Sequence, residues 1–206
     1  GLGERQTFQM SNLRRASAVA ARRARDLGEE TLALSLPVMD GLSAAELGQI
    51  AVEGALMGLY SYHGQKTGDK PRSGPQALQI IADDGSDLTV LRVAAERGKA
   101  YAEGAWLARD LVNMPPNICT PEYLAQRAGE MAATVGLKVE ALGVQQMRAL
   151  KMGALLAVAQ GSDAPPRFIV LEHNASRAKE LPTIVLVGKG VTFDTGGYSL
   201  KSPDNM

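Results

Sequence analysis

The residues best suited to chemistry stand together late in the sequence. An apolar run, Thr183-Ile184-Val185-Leu186-Val187, leads into Gly188-Lys189-Gly190-Val191-Thr192-Phe193-Asp194-Thr195-Gly196-Gly197-Tyr198-Ser199-Leu200-Lys201. The run is β-branched and continuously apolar, as a strand buried on both faces should be. In open α/β sheets, sites lie at the carboxyl ends of strands, and the glycine-rich segment begins at such an end. Glycines at 188, 190, 196 and 197 let the backbone turn tightly and expose the side chains between them. A lysine beside a buried strand end is costly unless its charge is removed or compensated. A dication nearby favours the neutral amine, which can then act as a nitrogen ligand. Asp194, five residues beyond Lys189, could bridge two metal ions with its two carboxylate oxygens.

Other chemistries fit the same residues. Gly-Lys-Gly suggests a phosphate cradle, but the Gly-x4-Gly-Lys-Ser/Thr pattern is absent because position 183 is Thr and position 190 is Gly. Asp194-Thr195-Gly196 is the triplet of aspartic proteases, where two such aspartates share a proton. A single copy would require a symmetric dimer, and those domains are β-rich where this chain is helix-rich. Lys189 and Lys201 could also be ordinary surface lysines on a glycine-rich loop.

The elements that must position these residues follow from periodicity and end signals. Residues 11–27 read as a helix, with Leu13, Ala16, Ala20, Ala24 and Leu27 on one stripe after a Ser11 cap. Arg14, Arg15, Arg22, Arg23 and Arg25 lie off that stripe, a solvated face or an anion patch. Thr31–Leu36 alternates with period two and stops at Pro37, as a strand does. Ser43-Ala44-Ala45-Glu46 is a capping box opening a helix that carries Leu47, Ile50, Gly54 and Met57 on one face. Residues 61–76 are polar and loop-like, and 78–81 form a short strand. A helical pattern from about 87 to 112 ends before Pro115-Pro116 and would span about 39 Å at 1.5 Å per residue. Its length suggests a strut between two domains. Thr120-Pro121 starts another helix, closed by Gly136. Strands are expected at 137–141, 168–171 and 183–187, with a short helix over 144–150.

The fold class is therefore α/β: a remnant of an N-terminal α/β domain over 1–85, a connecting helix over 86–112, and the first half of a mostly parallel-sheet domain over 113–206. The 206 residues are 45% hydrophobic, enough for a real core. Lys and Arg total 22 and Asp and Glu total 22, so no basic excess marks a dedicated nucleic-acid or membrane-surface binder. A single cysteine, Cys119, cannot form an internal disulfide, and no apolar run is long enough for a membrane span, so a cytoplasmic protein is expected. Cys119 before a helix start, Trp106 on the long helix and the methionines read as packing residues. His63 and His173 have no His or Cys at ligand spacing. The chain opens at Gly1 without an initiating Met and closes at Met206 soon after its most chemical stretch, which suggests a segment of a longer enzyme.

The stretch Val187–Lys201 closely resembles the metal-binding motif of the leucine aminopeptidase (cytosol aminopeptidase) family. Ala108-Arg109-Asp110-Leu111-Val112-Asn113-Met114-Pro115-Pro116-Asn117, through Thr120-Pro121, is similar to that family's entry into its catalytic domain. Met152–Ser162 is a third similar block. The resemblance implies a peptidase that removes N-terminal residues from peptides with two divalent ions, Mn²⁺ or Zn²⁺. Carried over by position, Lys189 binds one ion, Asp194 bridges both, and Lys201 is the catalytic lysine that stabilises the oxyanion. Asp194, Ser199 and Lys201 meet substrate. The family's later ligands, two aspartates and a glutamate, have no counterpart in this sequence, so weak metal binding and no peptide turnover are expected of it. The resemblance further implies a homo-oligomer, a hexamer, for the complete enzyme. The alternative from another class is a non-catalytic interaction or nucleic-acid-binding remnant using the arginine-rich helix, and a lesser one is the dimeric aspartic protease.

Overall fold

The computed structural model describes residues 1–64, 66–68, 73–83 and 85–193. They fall into two compact units, Gly1–Asn113 and Met114–Met206. The first unit runs α1 (Met10–Leu27), β1 (Thr31–Ser35), α2 (Ala44–Leu59), β2 (Ala77–Ile81) and α3 (Leu88–Asn113), preceded by a 3-10 turn at Arg5–Thr7. β1 and β2 pair in parallel from Thr31 opposite Ala77 to Ser35 opposite Ile81, with α2 as the crossover. The long helix α3 lies within this unit.

Helix starts follow the sequence at α2 and at Pro121–Val135, but not at α1, and the helix Gly153–Ala159 begins with no side-chain cap to mark it. At α2 the Ser43 hydroxyl accepts from the Glu46 N–H at 3.2 Å, and the Ser43 N–H donates to Glu46 Oε2 at 2.9 Å, the reciprocal cap its sequence predicts. At α1 the expected Ser11 cap does not form. The chain is already helical at Met10, so Ser11 lies inside the helix and its hydroxyl turns to the Gln9 side chain at 3.4 Å. The helix still ends as glycine allows, with Gly28 at φ +80 donating to the Ala24 and Arg25 carbonyls. Asp87 starts α3 by accepting from the Thr89 and Val90 N–H groups at 2.8 and 3.2 Å.

Glycine sets how closely the three helices approach. A Cβ on Gly54 would stand 2.3 Å from the Arg14 carbonyl oxygen, and one on Gly98 would stand 2.4 Å from the Gln49 carbonyl oxygen. Backbone thus meets backbone between α1 and α2 and between α2 and α3. This sandwiching explains why α2 is buried beyond its expected stripe, with Ala51, Val52, Glu53 and Ala55 enclosed besides Leu47 and Gly54. Glu53, 8% exposed, is paired with Arg14 Nε at 2.9 Å, which compensates its charge. Leu13, Leu47 and Ala51 centre the core, joined by Leu34, Leu36 and Ile80 from the sheet. In α3, burial runs through Leu91, Ala94, Gly98 and Ala102, while Leu88 in its first turn is 71% exposed.

The second unit contains α4 (Pro121–Val135), β3 (Lys138–Leu142), α5 (Val144–Ala149), α6 (Gly153–Ala159) and β4 (Phe168–Glu172). Thr120 caps α4 by accepting from the Tyr123 N–H, and Gly136 at φ +72 ends it. β3 and β4 pair antiparallel, Lys138 opposite Glu172, where a mostly parallel sheet is expected of this region. In this direction opposite charges meet across the ladder, with Lys138 Nζ 2.6 Å from Glu172 Oε2. Ala132, Leu142 and Met147 form the buried contacts of this unit. Met147, expected only as a gap-filler, is fully enclosed.

The expected strand 183–187 does not form. No residue from 182 to 193 belongs to a helix or strand, and Ile184, Val185, Leu186 and Val187 are 84%, 72%, 93% and 92% exposed. The composition is that of a central strand, but such a strand needs a neighbour at each edge and a layer on each face. The described residues supply neither.

Two outcomes follow. Gly54→Ala must push α1 and α2 apart and should cost about 1–3 kcal/mol in urea unfolding, whereas Gly104→Ala, which meets nothing within 4 Å, should be neutral or stabilising by up to about 1 kcal/mol. The Glu46 carboxyl titrates below the ordinary glutamate range, first because the Ser43 N–H donates to it and then because the Ser43 hydroxyl does. With the folded value lowered, the cap is complete above the unfolded pKa of about 4.3 and is lost as pH falls through the folded one. A carbon-detected titration of Glu46 should show its midpoint lowered in the native chain and only partly raised by Ser43→Ala, which removes the hydroxyl but keeps the backbone N–H donor.

Candidate functional site

Of the residues expected to do chemistry, Lys189 is described, while Asp194, Ser199 and Lys201 lie outside the described residues. The aspartic-protease triplet Asp194-Thr195-Gly196 also lies outside them. Lys189 is exposed, between Gly188 and Gly190, where added Cβ atoms would meet nothing within 4 Å. It stands one residue beyond the apolar run, as the sequence implies, and that run belongs to no helix or strand. An amine nitrogen is a suitable donor for Mn²⁺ or Zn²⁺. The number of donors falls short: among the described residues no group of three or more His, Cys, Asp or Glu side chains could hold a metal. The donors fit in kind and not in count.

The Arg109–Asn113 block, singled out as an entry motif, has a defined role. The Tyr60 hydroxyl donates to Asp110 Oδ1 at 2.9 Å and accepts from Asn113 Nδ2 at 3.0 Å. The Arg109 guanidinium lies 5.3 Å from the Tyr60 ring centre, a cation–π distance. Trp106 leans on the same ring at 6.5 Å and donates its indole N–H to the Leu56 carbonyl at 3.1 Å. Motif residues therefore fasten the end of α3 to the end of α2. Loss of hydration raises the Tyr60 phenol; Asn113 opposes this and Asp110 reinforces it. Sequence reasoning missed Tyr60 because it stands 50 residues from Asp110, with no spacing signal to join them.

The remaining residues take bland places. His63 sits in an exposed loop with Nε2 2.9 Å from the Ser61 hydroxyl, and His173 is exposed just after β4. In the arginine-rich helix, Arg14 pairs with Glu53 and Arg25 with Asp26, while Arg15, Arg22 and Arg23 are exposed. No helix among the described residues is long and apolar enough to cross a membrane. Cys119 is 6% exposed, and burial pushes its thiol pKa up, the opposite of activation by a helix start.

Comparison with known proteins places this arrangement. Residues 106–206 match the catalytic-domain model of the cytosol aminopeptidase family, and residues 1–69 match its N-terminal-domain model. A probable cytosol aminopeptidase from Roseiflexus castenholzii is 41% identical over 209 residues, covering 100% of this chain and 42% of the relative. One from Burkholderia mallei is 40% identical over 210 residues, covering 100% and 41%. The chain thus spans about two fifths of the length of these relatives. Among solved structures, the bottromycin maturation enzyme BotP in complex with Mn superposes with a TM-score of 0.71 at 32% identity, covering 83% of this chain and 35% of that one. A mutant of tomato leucine aminopeptidase gives 0.69 at 30%, covering 78% and 32%. Asp194-Thr195-Gly196 falls inside the catalytic-domain match, and nothing supports the aspartic-protease alternative.

The buried thiol yields a measurable outcome. Thiol-reactive dye at pH 8 should label Cys119 at least about tenfold more slowly in the native chain than in urea. Equal rates would place this side chain at the surface.

Proposed function

This chain belongs to the cytosol aminopeptidase family, and on that footing we propose that it carries part of a two-metal aminopeptidase site. The observation that carries this reading is the catalytic-domain match over 106–206, which includes the whole Lys189–Lys201 stretch. The substrates are peptides with a free N-terminus. Lys189, as the neutral amine, would hold one divalent ion through Nζ, and Asp194 would hold both through its carboxylate. Such ions lower the pKa of a bound water and polarise a carbonyl. Mn²⁺ fits the donor set and is the ion named with the BotP neighbour; Zn²⁺ fits equally. Lys201, kept as the ammonium, would donate to the oxygen that gains charge as the scissile carbonyl becomes tetrahedral. Ser199, two residues earlier and on the same face of an extended chain, would orient the peptide. The complete enzyme would be a cytoplasmic homo-oligomer, a hexamer by the resemblance of its motifs.

The 206 residues alone are a different matter. A dinuclear site needs about six or more donors, and position by position this sequence supplies Lys189 and Asp194. Two donors do not hold two ions against water. We therefore assign the chain by itself weak metal binding and no turnover.

Calorimetric titration with Mn²⁺ should show affinity weaker than micromolar, and a leucyl-anilide assay should show no hydrolysis above background. Appending the remaining catalytic-domain residues of the Roseiflexus relative should create activity, and Lys201→Ala should then lower kcat about 10²–10³-fold. Micromolar binding with turnover by the 206 residues alone would overturn the assignment, as would an active fusion indifferent to Lys201→Ala.

A further inference from the structure

We propose that Tyr60 is a positioning residue through which the N-terminal domain holds the entry of the catalytic domain in place. Leu56 and Tyr60 lie in the N-terminal-domain match, which ends at residue 69. Trp106, Arg109, Asp110 and Asn113 lie in the catalytic-domain match, which begins at residue 106. Their contacts join the two domains of the family inside one compact unit, where α2 and α3 end. The chain that goes on to Lys189 and Lys201 leaves from this end of α3.

Neither helix ends on a left-handed glycine. α1 and α4 do, at Gly28 and Gly136, whereas α2 runs into Tyr60 at φ −53 and α3 into Met114-Pro115-Pro116, none of them at positive φ. The last carbonyls of a helix have no partner within it, and Pro115 and Pro116 have no N–H to return to those of α3. Side chains fasten these ends instead, in both directions. Trp106 in α3 donates its indole N–H to the Leu56 carbonyl in the last turn of α2, at 3.1 Å. Tyr60, just past α2, takes hold of Asp110 and Asn113 in the last turn of α3. Each helix end is held by the other.

The single proton of the Tyr60 hydroxyl decides how the joint is wired. A carboxylate only accepts, so the proton goes to Asp110 Oδ1, and the lone pairs of the oxygen are left for Asn113, which must turn its amide nitrogen inward. Asn113 to Tyr60 to Asp110 is then one donor chain, whose links strengthen one another. Helical spacing supplies the rest: Trp106, Asp110 and Asn113 stand four and then three residues apart, on one face of α3. The Arg109 guanidinium, 5.3 Å from the ring centre, steadies the ring that carries the hydroxyl. Phenylalanine at position 60 would keep the ring contacts and lose both hydrogen bonds.

The test is residue-resolved amide exchange of the 206-residue chain. Tyr60→Phe should speed exchange of residues 111–113 about two- to tenfold, the effect of one or two lost hydrogen bonds, and leave residues 91–98 unchanged. Trp106→Phe should loosen residues 58–60 more than residues 111–113. Unchanged exchange at 111–113 in Tyr60→Phe, or an equal rise along all of α3, would overturn the proposal. The effect on the reaction rests on the aminopeptidase reading and is measured in the fusion that carries the Roseiflexus residues. There, Tyr60→Phe should lower kcat per folded chain at least about threefold, while Gly54→Ala, which strains the α1 side of α2, should leave it within about twofold. Equal kcat values for the parent and Tyr60→Phe, or equal losses in the two variants, would also overturn the proposal. A parent fusion without activity would overturn the aminopeptidase reading instead, and exchange at 111–113 would still decide the joint.

Discussion

A strand that is apolar on both faces must be covered on both faces and paired at both edges, and residues 183–187 have neither in the described structure. That constraint governs most of what is unusual here. The side chains are those of a central sheet strand, so the cost of leaving them in water is high: each aliphatic group kept from burial forgoes about 1.5–3 kcal/mol. It also governs the chemistry, because Lys189 follows the run directly. An amine anchored to a rigid, buried strand end can be held beside a cation.

The first unit shows the opposite condition. There, α1, α2 and α3 approach until backbone touches backbone, since Gly54 and Gly98 leave no Cβ in the way. The parallel β1–β2 pair covers part of the same core through Leu34 and Ile80. Packing this close needs few large side chains, which suits a chain with 4% aromatic residues. The Arg14–Glu53 pair sits inside the assembly without an orphaned charge. At the far end, Tyr60 ties Asp110 and Asn113 together and so fixes where α3 stops.

Local signals were legible in the sequence wherever one residue type satisfies one backbone need. Ser43 with Glu46, Thr120 with Pro121, and Gly136 marked helix ends that the structure reproduces. Signals that depend on partners were not legible. Ser11 has the chemistry of a cap, but the helix begins at Met10 and passes it by. Leu88 fits the helical stripe, yet nothing packs over the first turn of α3 and it remains exposed. The β3–β4 direction depended on which residues meet across the ladder, as Lys138 and Glu172 do, and α6 carried no end signal strong enough to mark it beforehand. At the functional site, motif resemblance named Lys189, Asp194, Ser199 and Lys201, and all four fall within the catalytic-domain match. Tyr60 was invisible because its meaning lies entirely in residues 50 positions away.

Amide hydrogen exchange over residues 183–187 tests the governing constraint most directly. In dilute solution, where copies do not meet, Ile184, Leu186 and Val187 should exchange at close to the free-peptide rate. Strong protection of the whole run in dilute monomer would contradict this, for it would mean that the segment already has its neighbours.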